Sequence, residues 1–353
     1  MKAFIVVFIA LFMIGRDCTC LADSVRLVNT PNGGEVPDAE VDASGAIHLA
    51  FVKGEDAYYA KSDDGGMSFS KALRINSTPG TVHPANMFRG PDLALGQNGR
   101  IHVIWYVNAY QRKLPQNEWG VFYSYLDPGQ RAFAHETNLN HKPSDNYSLA
   151  TDDGGHVAVV WMAGKLFLTE SLDSGASFRT RDIPIADPCE CCASRASFSN
   201  DGRLMIAYRE KAENVRDMHL ITRLGTDGEF QSQRLSSTSW RINACPMTGT
   251  FLSNQAAQTV AAWETMGSVY YARIGAGNKT PKEIKVASRG KWPVALFSAE
   301  GTVLVSWKTG STLSWQKFDS NDNPDGPVES APSPNPHRHA GVVSKDGTFV
   351  LID

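Results

Sequence analysis

The stretch GQNGRIHVIW, residues 96–105, carries the pattern that decides the fold. A polar turn built on glycine leads into Ile101, Val103 and Trp105 on one side of an extended chain, with His102 and Ile104 on the other. A period of two in β-branched and aromatic residues marks a strand entered through a tight turn. The pattern returns in DASGAIHLAF (42–51), DDGGHVAVVW (152–161), SNDGRLMIAY (199–208), SAEGTVLVSW (298–307) and SKDGTFVLID (344–353). It returns without its glycine in SNQAAQTVAAW (253–263). Most copies have a short small-residue strand before them, such as PDLAL or PVALF, and an aromatic-rich one after, such as DAYYAKS or SVYYARI. Four strands in roughly 45–50 residues is the size of one propeller blade. Helical periodicity is nearly absent. A β-sandwich also uses many short strands, but the aromatic ending the second strand of successive copies favours repeated blades.

Counting inner strands predicts an all-β propeller of seven blades, with six as the alternative. The last blade has only His339–Ser344 and Thr348–Ile352, and the segment Ser24–Asn29 is expected to complete it and remove its exposed edge.

Two turns carry a sharper pattern. SDDGGMSF (62–69) and SLDSGASF (171–178) both read Ser-x-Asp-x-Gly-x-x-Phe, and YLDPGQRAF (125–133) is a degraded copy. These resemble the Asp-box of sialidase-like β-propellers, over essentially the whole chain that follows the leader. The turn needs a carboxylate accepting backbone N–H groups, a glycine at positive φ and an aromatic plug. Such turns recur in propellers of many activities, so they specify fold more than function. The resemblance implies an exo-acting glycoside hydrolase of sialidase type, which grips a carboxylate with three arginines. Phe88-Arg89-Gly90-Pro91 is similar to the family's Phe-Arg-Ile-Pro, although it follows the first such turn instead of preceding it. Glu210, Glu264 or Asp217 would supply acid, and Tyr208 or Tyr270 a phenol.

Composition narrows the partners. With 353 residues, 42% of them hydrophobic, the chain can bury a large core, and a net charge of −3 leaves no basic footprint for nucleic acid. Lys2, an apolar run from Ala3 to Gly15 and Cys20-Leu21-Ala22 read as a signal peptide over 1–22, so residues 23–353 are expected as one secreted or periplasmic domain. The run is too short to span a membrane, and no later one is longer. A monomer is expected. Cys18 and Cys20 would leave with the leader, and Cys189, Cys191, Cys192 and Cys245 remain. Sequons stand at Asn76, Asn146 and Asn278.

In a four-stranded blade the turns between first and second and between third and fourth strands share one face. The inter-blade connections and the second-to-third loops share the other. That second face gathers THPANMFRG, NHKPSDNY, DPCECCASR, WRINACPMTG and NPHRHAG, and so is the expected site at the channel mouth. Arg89, Arg195, Arg209 and Arg241 are its candidate anion anchors. Three cysteines within four residues make a plain disulfide framework awkward, because a complete pairing needs one bridge inside the cluster. Structural disulfides, a soft-metal site for Cu or Zn, and one bridge to Cys245 beside a reactive pair all remain open. The metal reading takes Cys189, Cys191, Cys192, Cys245, His83 and His339 as ligands. The long second-blade loop VNAYQRKLPQNEWG (107–120), with Tyr110, Arg112 and Trp119, could stack a sugar or act as a lid. Binding of a ligand or soft metal ion is the leading function, with the hydrolase and an extracellular scaffold held together by disulfides as alternatives.

Overall fold

Glu35–Val41, Ile47–Lys53, Asp56–Ser62 and Leu73–Arg74 pair antiparallel in chain order, and this unit repeats five more times. The computed structural model describes residues 24–87, 89–183, 187–255, 258–275 and 281–353. The leader with Cys18 and Cys20, Phe88 and the sequon at Asn278 lie outside them. The seventh sheet holds Ala340–Val343 and Phe349–Ile352, with Val25–Val28 added at its edge. The chain is therefore a seven-bladed β-propeller, and its first described strand closes the incomplete blade as expected. That strand runs parallel to Phe349–Ile352, with Val25 opposite Phe349 and Val28 opposite Ile352. The Thr30 amide donates to the Asp353 carbonyl at 2.7 Å and completes the seam.

The apolar residues of the repeat explain the ring. Buried side chains form seven clusters, one at each join between neighbouring blades. Trp105, Trp161, Trp263 and Trp307, which sit near the ends of second strands, are all at most 4% exposed. Trp161 stacks on Phe167 with ring centroids 4.2 Å apart. Each large ring fills the wedge between two twisted sheets, where burial is worth several kcal/mol.

The turns 62–69 and 171–178 share one geometry. Asp64 accepts from the Ser68 amide at 2.9 Å and the Ser62 hydroxyl at 2.8 Å, and Asp173 repeats this with Ser177 and Ser171. Gly66 and Gly175 have φ of 89° and 87°, and Phe178 plugs against Tyr123 at 4.9 Å. A Cβ at Gly175 would fall on the Tyr123 hydroxyl. Gly175→Ala is therefore expected to lower the unfolding free energy by about 2 kcal/mol or more in chemical denaturation; an unchanged midpoint would contradict this account of the turn.

The sequons at Asn76 and Asn146 serve structure. Asn76 accepts from the Ala57 amide at 3.0 Å and donates to Asp56 at 2.7 Å, while Asn146 donates to the Glu190 carbonyl. Both side chains are buried, which leaves neither open to a glycan in the folded chain.

Candidate functional site

The inner strands begin on the face that carries the inter-blade connections, and there the channel is stoppered by charge. Arg195, the first residue of its strand, reaches Asp38 Oδ1 at 3.1 Å and Asp92 Oδ2 at 3.6 Å. Arg338 holds the other Asp92 oxygen at 3.0 Å, and Asp38 accepts the Leu93 amide at 2.8 Å. Four blades are thereby tied across the axis. Arg195, Asp38 and Asp92 are all less than 9% exposed. The space left at this end is about 50 Å³, whereas the opposite end opens into about 850 Å³ lined by Glu40, Asp42, Asn200 and Asn254. The acids of this stopper were missed in the sequence. Their signal was present in PDAEV and PDLAL, where an aspartate follows a proline in the inner strand of each of two blades.

Burial pushes the Glu40 carboxyl up to about 7, against the pull of Arg195 and with the help of Asp38 and Asp92. The folded chain thus holds a proton that the unfolded chain releases near its ordinary value of 4.5. Stability from this group is lost as pH rises through that window, and the penalty is complete above about 7. Glu40→Gln is accordingly expected to raise the denaturation midpoint at pH 8 and leave it nearly unchanged at pH 4. An equal shift at both values would contradict the assignment.

The cysteines gather elsewhere. Cys191 and Cys245 form a disulfide with Cα atoms 6.2 Å apart, joining the connections on either side of the fourth blade. Cys189 and Cys192 are buried free thiols. The Sγ atoms of Cys189, Cys191 and Cys192 form a triangle with edges of 3.5, 4.0 and 3.7 Å. All four sulfurs therefore belong to one cluster. Its position follows from backbone bonding: the Cys189 amide donates to the Arg209 carbonyl at 2.8 Å, and the Ala193 amide to the Thr248 carbonyl at 2.9 Å. The loop is pinned to the end of the second strand. That draws the cysteines outward from the axis, because strands lie about 4.8 Å apart. Among the described residues no cysteine lines the channel mouth, so the sulfurs gather away from the axis where one axial centre was expected.

Two cations accompany the sulfurs. Arg209 is 1% exposed; it donates to the Arg216 carbonyl at 2.6 Å, to Thr248 Oγ1 at 3.3 Å and to the Glu264 carbonyl, and lies 5.0 Å from the Trp240 ring. Arg216, 8% exposed, donates to the carbonyls of Glu213 at 2.6 Å and Val215 at 2.9 Å. Among the described residues neither guanidinium pairs with a carboxylate, and neither Nε has a partner. The Cys192 thiol donates to Cys189 and, with Arg216 and Arg209, draws the Cys189 thiol down to about 6. The same bond and burial push Cys192 up. Asp217 is held by Arg234 at 3.0 Å and the Trp240 amide at 2.9 Å. Within the segment 208–219, Tyr208, Arg209, Arg216, Asp217 and Met218 are buried, while residues 211–213 are exposed and Glu210 pairs with His219.

The remaining candidates are not brought together. Among the described residues the only ligand group at metal-binding spacing is the cysteine set, without either histidine. His339 is buried with Nε2 2.7 Å from Ser306 Oγ, and burial holds its pKa well below the ordinary value. His83 bonds the Pro84 carbonyl at 2.8 Å beside the long second-blade loop. Neither ring is part of the sulfur cluster: His339 is bonded across to the sixth blade and His83 to its own connection. Arg89 pairs with Asp145, Arg195 with Asp38, Arg209 sits under the sulfurs and Arg241 is exposed near Asn214. These four arginines form no shared carboxylate clamp.

No protein-family model and no curated protein matches the chain. Solved structures share its fold. A fucose-binding case is Aleuria aurantia lectin in complex with alpha-methyl-L-fucoside, at 14% identity and TM-score 0.51, covering 86% of this chain and 98% of that one. Another structure of that lectin is described as six-bladed, one blade fewer than here. A polysaccharide lyase described as an ulvan lyase aligns at 12% identity and TM-score 0.53, over 91% of this chain and 86% of that one. The leech intramolecular trans-sialidase aligns at 11% identity and TM-score 0.51, over 86% of this chain and 68% of that one.

Proposed function

We propose that this chain is an exported β-propeller that holds a soft metal ion, Cu⁺ or Zn²⁺, on Cys189, Cys191, Cys192 and Cys245 once the Cys191–Cys245 bond is reduced. The observation that carries this reading is a four-sulfur cluster lying against two buried guanidiniums that pair with no carboxylate among the described residues and that favour the charged form of Cys189. A buried cation calls for an anionic partner, and metal thiolates supply one. Metal–sulfur bonds of about 2.3 Å in a tetrahedron place sulfurs about 3.8 Å apart, close to the triangle of 3.5–4.0 Å found here. An external dithiol would deliver two electrons to the disulfide and leave Cys191 and Cys245 as ligands. The leader-like sequence and an oxidised cysteine pair support export to a disulfide-forming compartment, secreted or periplasmic.

The test is competitive titration of reduced protein with Cu⁺ and Zn²⁺ against chromophoric chelators. One equivalent should bind, with loss of the four titratable thiols, and Cys192→Ser should weaken it. Four reactive thiols with no retained metal would overturn the proposal.

A second reading, carbohydrate binding, draws support from the printed descriptions of the fold neighbours, a fucoside-bound lectin, an ulvan lyase and a trans-sialidase. Membership of the sialidase-like propellers rests on the two Asp turns and the leech neighbour. The scattered arginines give the hydrolase form of that reading no support.

A further inference from the structure

We infer that the cleft beside the second-blade loop binds a neutral sugar unit, stacked against Tyr110 and Trp119 with its hydroxyls met by Arg89, Asp145 and Glu190. The inference rests on the carbohydrate reading and names its site and sugar class. The cleft measures about 480 Å³ and is bounded by that loop on one side and by the connections bearing Arg89, Asp145 and Glu190 on the other. This volume lies within the range of small-molecule sites.

The aromatic wall is preformed. Buried Asn108 donates to Glu55 at 2.7 Å and to Gln111 at 2.9 Å, and the Leu114 amide donates to the Ala109 carbonyl at 3.0 Å. The Trp119 indole N–H is spent on the Leu114 carbonyl at 2.8 Å, which fixes the ring in the loop. Tyr110, by contrast, is 82% exposed, the most of any large apolar or aromatic side chain among the described residues. A rigid loop that leaves a tyrosine in water beside a cleft lowers the ordering cost of a ligand that covers it.

The polar wall selects the chemistry. A pyranose offers a face of C–H groups and a rim of hydroxyls, each both donor and acceptor. Arg89 supplies donors, Asp145 and Glu190 supply acceptors, and His83, kept neutral by burial with Nδ1 committed to the Pro84 carbonyl, leaves Nε2 as another acceptor. One guanidinium set against two carboxylates disfavours a uronic or sialic acid, because a third carboxylate would meet net negative charge. A lipid or a purely aromatic ligand would leave these groups desolvated and unpaired.

The experiment titrates the full chain with methyl β-glucoside, methyl α-mannoside and cellobiose, alongside glucuronic acid, by calorimetry and saturation-transfer NMR. At least one neutral sugar should bind with Kd of about 1 mM or tighter, and Tyr110→Ala, whose exposed ring contributes little to folding, should weaken it about tenfold. Trp119→Ala and Asp145→Asn should weaken it as well. Neutral-sugar binding left unchanged by Tyr110→Ala and Asp145→Asn would overturn the cleft while leaving carbohydrate binding standing. No sugar bound, glucuronic acid included, would overturn both, and binding of glucuronic acid in place of or more tightly than the neutral sugars would overturn the charge selection.

Discussion

Replacing Arg195 with methionine will lower the unfolding free energy by about 3–5 kcal/mol, the usual cost of removing one partner from a buried ion pair. The side chain is 8% exposed and shares Asp38 and Asp92, themselves 5% and 3% exposed. Methionine fills similar space, so packing against the Phe251 ring, 5.5 Å from the guanidinium, is partly kept. What is lost is the charge. Two carboxylates would then face each other with only Arg338 near, and Asp38, whose pKa burial already raises and Arg195 lowers, would take up a proton. The loss should therefore be larger at pH 8 than at pH 4, where protonation relieves the repulsion. Chemical denaturation at the two values reads both effects. A loss below about 1 kcal/mol would place these groups among solvated ion pairs and remove the case for a charged stopper.

That stopper shows where sequence and structure part. The ring itself was legible, because a glycine turn followed by strict alternation and an aromatic is a local pattern, and repetition makes a local pattern global. Ala340–Val343, Phe349–Ile352 and Val25–Val28 fall within a residue of where the count of inner strands put them. The parallel direction of the closing strand was not legible, since it depends on how the chain enters the ring. Convergence of Cys245 on Cys189–Cys192 was legible from its place on the next connection. Its distance from the axis was not, because that is set by one backbone bond, from Cys189 to Arg209. His83 and His339 lie outside the sulfur cluster for a related reason: a residue's face is encoded by topology, while its radius and its partner are decided by neighbours such as Ser306 and Tyr106. Arg216 and Asp217 stand in a run rich in charge, and only the packing of Trp240 and the sulfurs shows them buried.

Arg216→Met should weaken metal binding by the reduced protein about 10–100-fold, the usual effect of removing a group that supports metal ligands from outside. Arg216 bonds two nearby carbonyls, those of Glu213 and Val215, and it stabilises the charged form of Cys189. Arg209 is a poorer choice, since it also bonds Thr248 and the Glu264 carbonyl across to the next blade, so that its loss would perturb the fold. A set of thiolates around Cu⁺ or Zn²⁺ carries net negative charge, and at low dielectric one nearby cation matters far more than it would in water. Arg216→Lys keeps that cation while discarding the planar fork, so it should retain most of the affinity that methionine loses. Chelator competition gives both affinities, and thermal melts of the metal-free variants show whether folding has changed. Equal losses in the two variants would mean that the side chain acts by shape. Unchanged affinity in Arg216→Met would show that the sulfurs need no counter-charge, and the electrostatic case for a metal among them would fall with it.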